Sequence, residues 1–224
     1  CWIGIIISVH LISPFSNIYV KVVNFILKRL FFWYNKYRKE VRDMDILVGV
    51  SNRHVHLTRE DLDILFGEGY ELTVKNYLVQ PGQFACNETV SLEANGYRKD
   101  YVRIIGPIRK YTQVELLDSD KELFKLDPPV RNSGELDNSE SIRIIGPVGS
   151  IDKSNCCIIA NRHIHCNKLD NIGYNNGDIV KVKYKDMILN DVHIKMDDSY
   201  KLEFHINKDD ASNLDLNTGD IVVL

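Results

Sequence analysis

The sequence predicts a mainly β protein: two small β-barrel domains capped by short helices, with an N-terminal amphipathic helix ahead of them. From Met44 onward, short β-type runs alternate with turns rich in Gly, Pro, Asn and Asp, a density that suits barrels or sandwiches. Three segments also recur within the chain. Asn52-Arg53-His54-Val55-His56 returns as Asn161-Arg162-His163-Ile164-His165, and Arg103-Ile104-Ile105-Gly106-Pro107 returns as Arg143-Ile144-Ile145-Gly146-Pro147. Asn176-Gly177-Asp178-Ile179-Val180 returns as Thr218-Gly219-Asp220-Ile221-Val222. Internal echoes of this kind mark repeated supersecondary units, and two related barrels are the simplest account of them.

Taken in order, residues 2–12 are apolar but fall short of the ~20 residues a membrane span needs. Pro14 stops any helical continuation, and the run lacks the charged leader and small-residue cleavage site of a secretory signal. From Asn17 to Glu40, Ile18, Val22, Phe25, Ile26, Leu30, Trp33, Tyr34 and Tyr37 recur at helical spacing, with Lys21, Asn24, Lys28, Asn35 and Lys39 elsewhere around the wheel. A basic amphipathic helix of this kind lies on a membrane surface or docks on a partner such as a shell protein. The chain opens on Cys1 and Met44 directly precedes the first strand-like run, so the competing expectation is that residues 1–43 are upstream sequence outside the native protein.

Residues 1–43 hold seven Lys and Arg against Glu40 and Asp43, about +5, while the whole chain sums to -3, leaving about -8 for the remainder. That balance offers no broad basic field, and nucleic acid is excluded as a partner. Five cysteines without a C-x-x-C pair read as reduced thiols in a cytosolic protein. Cys86, Cys156 and Cys157 suit small buried positions, and Cys166, just after a histidine pair, is a minor candidate ligand.

Strands are expected over Ile46 to Val50, Tyr101 to Ile105, Ser141 to Ile145, Cys156 to Ala160, Ile179 to Tyr184, Asp191 to Met196, Lys201 to Ile206 and Ile221 to Leu224. Helix is expected from Thr58 to Leu65, opened by a Thr58/Asp61 cap, and for a turn or two around Asp209 to Leu214. The polar, Pro-containing stretch Asp127 to Glu140 is the linker candidate. The division is therefore 1–43 as an extension, 44–130 as the first barrel and 131–224 as the second, with strands open to exchange between them.

Histidine placement is the strongest chemical signal. Four of the seven histidines form two H-x-H pairs, His54/His56 and His163/His165, each following a strand-like run. On an extended chain residues i and i+2 share a face and lie roughly 6.5–7 Å apart at Cα, so two imidazoles can converge on one ion at ~2.1 Å. A single such pair is as readily a chance pair on a polar strand face, and the duplication argues against chance. Each pair needs a third ligand. Glu115, on Gln113 to Leu117, is the candidate for the first, against the alternative of a solvated carboxylate. For the second, His205 lies among Leu202, Phe204 and Ile206, which places it on the polar face, and His193 is the rival. Arg103 and Arg109 flank Gly106-Pro107, a turn able to bring two forked donors to one tetrahedral anion.

At these residues the chain resembles a known family. Ser51-Asn52-Arg53-His54-Val55-His56-Leu57, Gln80-Pro81-Gly82-Gln83-Phe84-Ala85, Val102 through Arg109 with Thr112-Gln113-Val114-Glu115, Arg131-Asn132-Ser133-Gly134, Arg162-His163-Ile164-His165 and Glu203-Phe204-His205-Ile206 together resemble the PduL-type phosphate propanoyltransferases, phosphotransacylases of bacterial microcompartments and fermentative acyl-CoA metabolism. The resemblance runs from about Val48 to about Asn213. It implies two helix-capped barrels and two zinc ions, one on His54, His56 and Glu115 and the other on His163, His165 and His205. It further implies that Arg109 holds phosphate and that Val50, Ser51, Asn52 and Arg103 line a coenzyme A site. Where the family carries a Gly-Pro-Lys-Gly turn this chain reads Ala94-Asn95-Gly96-Tyr97-Arg98-Lys99, so that contact passes to Arg98 or is lost. The family's Asn after the third histidine falls at Ser212 or Asn213.

The expected reaction is direct transfer of a propanoyl or acetyl group between coenzyme A and phosphate, since no Ser or Cys is placed as a nucleophile. The expected setting is an assembly of identical copies in the cytoplasm or inside a microcompartment, with shell proteins as partners of the front helix. The rival activities are a zinc-dependent acyl-CoA thioester hydrolase and a non-catalytic, zinc-stapled shell-binding module.

Overall fold

In the run Ile179 to Tyr184 the structure turns Val180, Val182 and Tyr184 inward and leaves Ile179, Lys181 and Lys183 outside, the two-residue period of a strand with one wet face. A computed structural model of the chain describes residues 23, 26–29 and 43–224. The amphipathic helix expected over residues 17–40 otherwise lies outside the described residues; those described there are helical.

The chain from Asp43 onward runs through β1 (Asp45–Ser51), β2 (His54–His56), α1 (Arg59–Phe66), β3 (Val74–Tyr77), β4 (Phe84–Ala94), β5 (Tyr97–Gly106) and β6 (Gln113–Glu115). It continues through α2 (Asp118–Phe124), β7 (Val130–Arg131), β8 (Glu140–Ile145), β9 (Ser150–Ala160), β10 (His163–Cys166) and a 3-10 turn (Lys168–Asp170). The last elements are β11 (Ile179–Tyr184), β12 (Met187–Met196), β13 (Glu203–Asn207), α3 (Lys208–Asn213) and β14 (Ile221–Val223).

These strands form two closed six-stranded barrels. In one, β1 runs parallel to β13, then β10, β12, β11 and β14 follow, and β14 returns to β1. Its core is Ile46, Val48, Ile164, Val192, Ile194, Phe204, Ile206 and Val222 with their neighbours. In the other, the order is β4-β5-β2-β6-β9-β8, with β8 closing on β4. Its core includes Val55, Leu92, Ile104, Val114, Ile144, Cys156 and Cys157. Strand β1, from early in the chain, thus completes the barrel of the later residues, while β8 and β9 complete the barrel of the earlier ones. The segment Asp127 to Glu140, expected as a linker, contains β7, which pairs with the end of β9.

Local signals explain the caps and turns. Thr58 accepts a hydrogen bond from Asp61 N at 3.1 Å, opening α1 as its Thr-x-x-Asp sequence predicts, and Leu62 and Leu65 enter the core. Helix α2 was not expected; it is short, Phe124 is its one buried apolar residue, and such a segment shows no helical period. The duplicated Gly-Asp turns share their wiring. Gly177 and Gly219 take positive φ, which glycine adopts without strain, and the Asp178 and Asp220 carboxylates accept from Asn175 N and Asn217 N at 2.8 Å each.

Fully buried branched side chains each contribute about 1.5–3 kcal/mol by leaving water. Ile144→Ala is expected to destabilise the protein by about 2–5 kcal/mol, and Leu169→Ala on the exposed 3-10 turn by less than about 0.5 kcal/mol, both read from urea denaturation midpoints.

Candidate metal centres and active site

Because Val55, Val114 and Ile104 fill one barrel, their neighbours in sequence point outward from it. Register then assembles the first cluster: His54 pairs with Arg103 on one side and Glu115 on the other, and His56 pairs with Gln113. The other barrel repeats the arrangement. Ile164, Phe204 and Ile194 point inward, so His163 lies between His205 and His193, and His165 between Glu203 and Lys195. Both sets of outward residues are nonetheless shielded; His56, His163 and His165 are buried.

Two groups of three candidate ligands result, His54/His56/Glu115 and His163/His165/His205, and within each group the candidate ligand atoms lie within 4.8 Å of one another. In the first, His54 Nδ1 is 2.8 Å from the Asn52 carbonyl oxygen and His56 Nδ1 is 3.0 Å from that of Ile105. A carbonyl only accepts, so both Nδ1 atoms carry the proton and both Nε2 atoms present lone pairs. Those two Nε2 atoms are 3.1 Å apart, with the Glu115 carboxylate 3.5 Å from one and 3.9 Å from the other. Protonation does not relieve this convergence at His56, whose pKa is held well below the ordinary value by burial, by His54 and by Arg109. A divalent cation does, and a His/His/carboxylate set is a zinc-type donor set.

In the second group, His163 Nδ1 donates to the Asn161 carbonyl at 2.8 Å, freeing Nε2. His205 Nε2 donates to Glu203 Oε2 at 2.6 Å, freeing Nδ1. His165 Nδ1 is buried without any hydrogen-bond partner. The three rings pack within 5.1 Å of one another, centroid to centroid. Burial is the main cause that lowers the pKa of His163 far below its usual value and that of His165 to about 2. Three imidazoles, each with a ring nitrogen to spare, fit a metal ion as well as the first set does.

Glu203 is the outer support. Burial opposes its charge, but hydrogen bonds from His205 and from Gln80 hold its carboxyl below the ordinary range. Gln80 Nε2, from the β3–β4 loop of the opposite barrel, donates to Glu203 Oε2 at 2.8 Å and to Lys201 O at 3.0 Å. Gly49 on β1 makes room for that carboxylate, since a Cβ there would stand 2.6 Å from Glu203 Oε1.

Arg109 belongs to both groups electrically, lowering the pKa of His56 in one and His165 in the other. Its Nη1 donates to Ser133 Oγ at 3.3 Å. Gln113 fixes the same loop: its Nε2 donates to Ser133 Oγ at 2.8 Å and to Glu115 Oε1 at 2.7 Å, and its Oε1 accepts from Gly134 N at 2.8 Å. Among the other expected residues, Arg103 Nη1 donates to the carbonyls of Cys86 and Asn87 at 2.7 and 2.9 Å. Val50 N donates to Thr218 Oγ1 and Ser51 Oγ to Ile206 O, while Asn52 is exposed. Arg98 is engaged with Asp100 and Ser91. The rival His193 stands opposite His163 but is not in the cluster. Cys166 faces the core, with burial pushing its thiol up to about 11. Lys195 was not singled out from sequence, while Glu203, Gln113, Gln80 and Ser133 stood in the segments that carry the family resemblance without roles of their own; Glu203 and Gln113 each sit two residues before a candidate ligand, and that period was the available signal.

A family model described as Phosphate propanoyltransferase matches residues 47–217. Proteins named phosphate propanoyltransferase are similar over most of their length. One from Thermotoga maritima is 47% identical over 189 residues, covering 82% of this chain and 90% of that protein. One from Rhodopseudomonas palustris is 41% identical, covering 81% and 83%, and one from Salmonella typhimurium is 36% identical, covering 73% and 80%.

With zinc as the probe ion, Glu203→Ala is expected to weaken binding at the second group about 10–100-fold and to leave the first unchanged, so that a competitive chelator titration shows one step shifted. In the metal-free protein, unfolding releases His56, His163 and His165 from sites that resist protonation. The unfolded chain then binds more protons once the pH drops below about 6.5. The contribution of these histidines to stability should therefore be full above that value and fall progressively below it, as followed by denaturation midpoints from pH 8 to 5, a range chosen to bracket the ordinary histidine pKa of roughly 6.5.

Proposed function

Since the chain belongs to the phosphate propanoyltransferase family, and is thereby an acyltransferase, we propose that it moves a propanoyl or acetyl group between coenzyme A and inorganic phosphate, with zinc held by both ligand groups. The observation that carries this is the pairing of two desolvated, lone-pair-rich triads with Arg109, a permanent cation that acts on both. His54, His56 and Glu115 hold one ion and His163, His165 and His205 the other. When bound, such ions supply Lewis-acid polarisation of the thioester carbonyl and stabilise the departing thiolate.

The chain's own residues do the rest. Arg109 grips phosphate through its forked donors. Ser133 Oγ already accepts from Gln113 and from Arg109, so its single proton is free to donate to a phosphate oxygen. Val50, Ser51, Asn52 and Arg103, around the end of β1 and the edge of β2, receive coenzyme A. A phosphate oxygen forms the bond to the thioester carbon, the carbon–sulfur bond breaks, and coenzyme A leaves as the thiolate. Holding both reactants in one cleft makes the attack effectively unimolecular, an advantage of several kcal/mol on the order of that seen for oriented intramolecular reactions.

Acyl phosphate should form from propanoyl-CoA or acetyl-CoA and phosphate, stop on chelation and return with zinc. Arg109→Ala should lower phosphate-dependent kcat/KM by about 10²–10³. Release of coenzyme A at an undiminished rate without phosphate would instead identify a thioester hydrolase, and an acyl adduct on the quenched protein, seen by intact mass, would replace direct transfer by an acyl-enzyme.

A further inference from the structure

Arg109 is not the only cation turned toward the candidate ligands. Lys195 on β12 stands directly opposite His165 on β10. Strand partners in register share a face, and Ile194 beside Lys195 points into the core, so the Lys195 side chain leaves the barrel on the side of the histidines. It is partly buried, yet its ammonium makes no hydrogen bond or ion pair among the described residues. The charged groups that it feels are Glu115, Glu135 and Arg109, and it acts in turn on His163 and His165. Loss of hydration is the largest influence and brings its pKa down to about 8, against the pull of the two carboxylates.

A partly buried ammonium that makes no ion pair with the protein favours an anion that joins it. Glu115 does not fill that role once it serves as a metal ligand, and it lies beyond ion-pair distance already. A compact anion suits this place, because Lys195 lies in register with His165 and is felt by His163 and His165, while Glu115 and Arg109 act on it in turn. Coenzyme A is a poor fit to this place: Val50 and Ser51 lie on β1, and the barrel order β1-β13-β10-β12 puts Lys195 three strands away, roughly 14 Å at ~4.8 Å per strand. We propose that Lys195 is a second anchor of the phosphate group, acting with Arg109 to hold inorganic phosphate in one direction and the phosphoryl end of the acyl phosphate in the other. This rests on the proposed transferase activity and adds to it a substrate-contacting residue.

The test uses the zinc-loaded full chain with Lys195→Met, Lys195→Gln and Lys195→Arg. Inorganic phosphate is titrated calorimetrically, zinc content is measured, and KM is determined separately for phosphate and for acyl-CoA. Loss of a charge-assisted contact should weaken phosphate binding and raise its KM about tenfold or more in the Met and Gln variants. Zinc content and the KM for acyl-CoA should stay unchanged, and Lys195→Arg should recover most of the loss. Unaltered phosphate affinity, a rise confined to acyl-CoA, or loss of zinc from both neutral variants would overturn the assignment. The calorimetric arm does not depend on turnover. A wild-type protein that binds phosphate through Lys195 yet forms no acyl phosphate would retain the anchor and refute the activity, whereas an active wild type indifferent to Lys195 would do the reverse.

Discussion

One hydrogen bond, made twice, organises the centre of this protein. In each Asn-Arg-His-x-His frame the first histidine's Nδ1–H donates 2.8 Å back to the carbonyl of the asparagine two residues earlier. That bond fixes the tautomer and turns Nε2, with its lone pair, away from the strand. The arginine between them is pinned as well: Arg53 Nε lies 2.9 Å from both oxygens of Asp120 on α2, and Arg162 reaches both oxygens of Asp210 on α3. Both aspartates sit at the third position of a short helix. The repeated five residues are therefore a repeated circuit, in which a helix cap, a guanidinium and a backbone carbonyl together hold one imidazole.

Placement on strands makes the circuit useful. A two-residue period carries the second histidine to the same face, and the neighbouring strands deliver the third candidate ligand by register, antiparallel in both cases: β6 brings Glu115 to His54 and β13 brings His205 to His163. The outward face of a small barrel is ordinarily wet. Here contacts that cross from one barrel to the other, such as Gln80 with Glu203 and Lys201, keep it dry enough for burial to suppress protonation of three histidines. Neutral imidazoles are the form that binds metal, so the desolvation that would be a liability in an empty core prepares the donors.

What could be read in the sequence is what depends on short range. The two histidine pairs, the polar face of His205, the Thr58 cap and most strands follow from periods of two and from local turn chemistry. Choosing His205 over His193 lay at the limit, because both stand opposite His163, one on each flanking strand; the apolar neighbours of His205 pointed the right way. Gln80 and Ser133 stood in segments that carry the family resemblance without a role of their own, and Lys195 was not singled out at all, for a different reason. Each reaches the candidate ligands or their supports through a strand pairing or loop contact spanning tens of residues, and the parallel pairs β1–β13, β2–β5 and β10–β12 that close the barrels carry no turn signature. Helix α2 was lost to its brevity, although Asp120 within it anchors Arg53.

Duplication supplied two frames, but the third ligands make them unequal. Glu115 adds a negative charge to one set, whereas the other consists of imidazoles alone and keeps its carboxylate, Glu203, one bond removed behind His205. Under the proposed activity an ion at the first group meets its carboxylate directly, and an ion at the second meets one only through His205, so the second ion, on the side of His163, His165 and Lys195, is the less shielded of the two. An incoming dianion and a departing thiolate are both anions, and a symmetric site would hold either one at either place. The different placement of one carboxylate in each group makes the two ends unequal, and under the proposed activity that inequality is a physical reason for phosphate to settle at one end while the thioester is presented from the other.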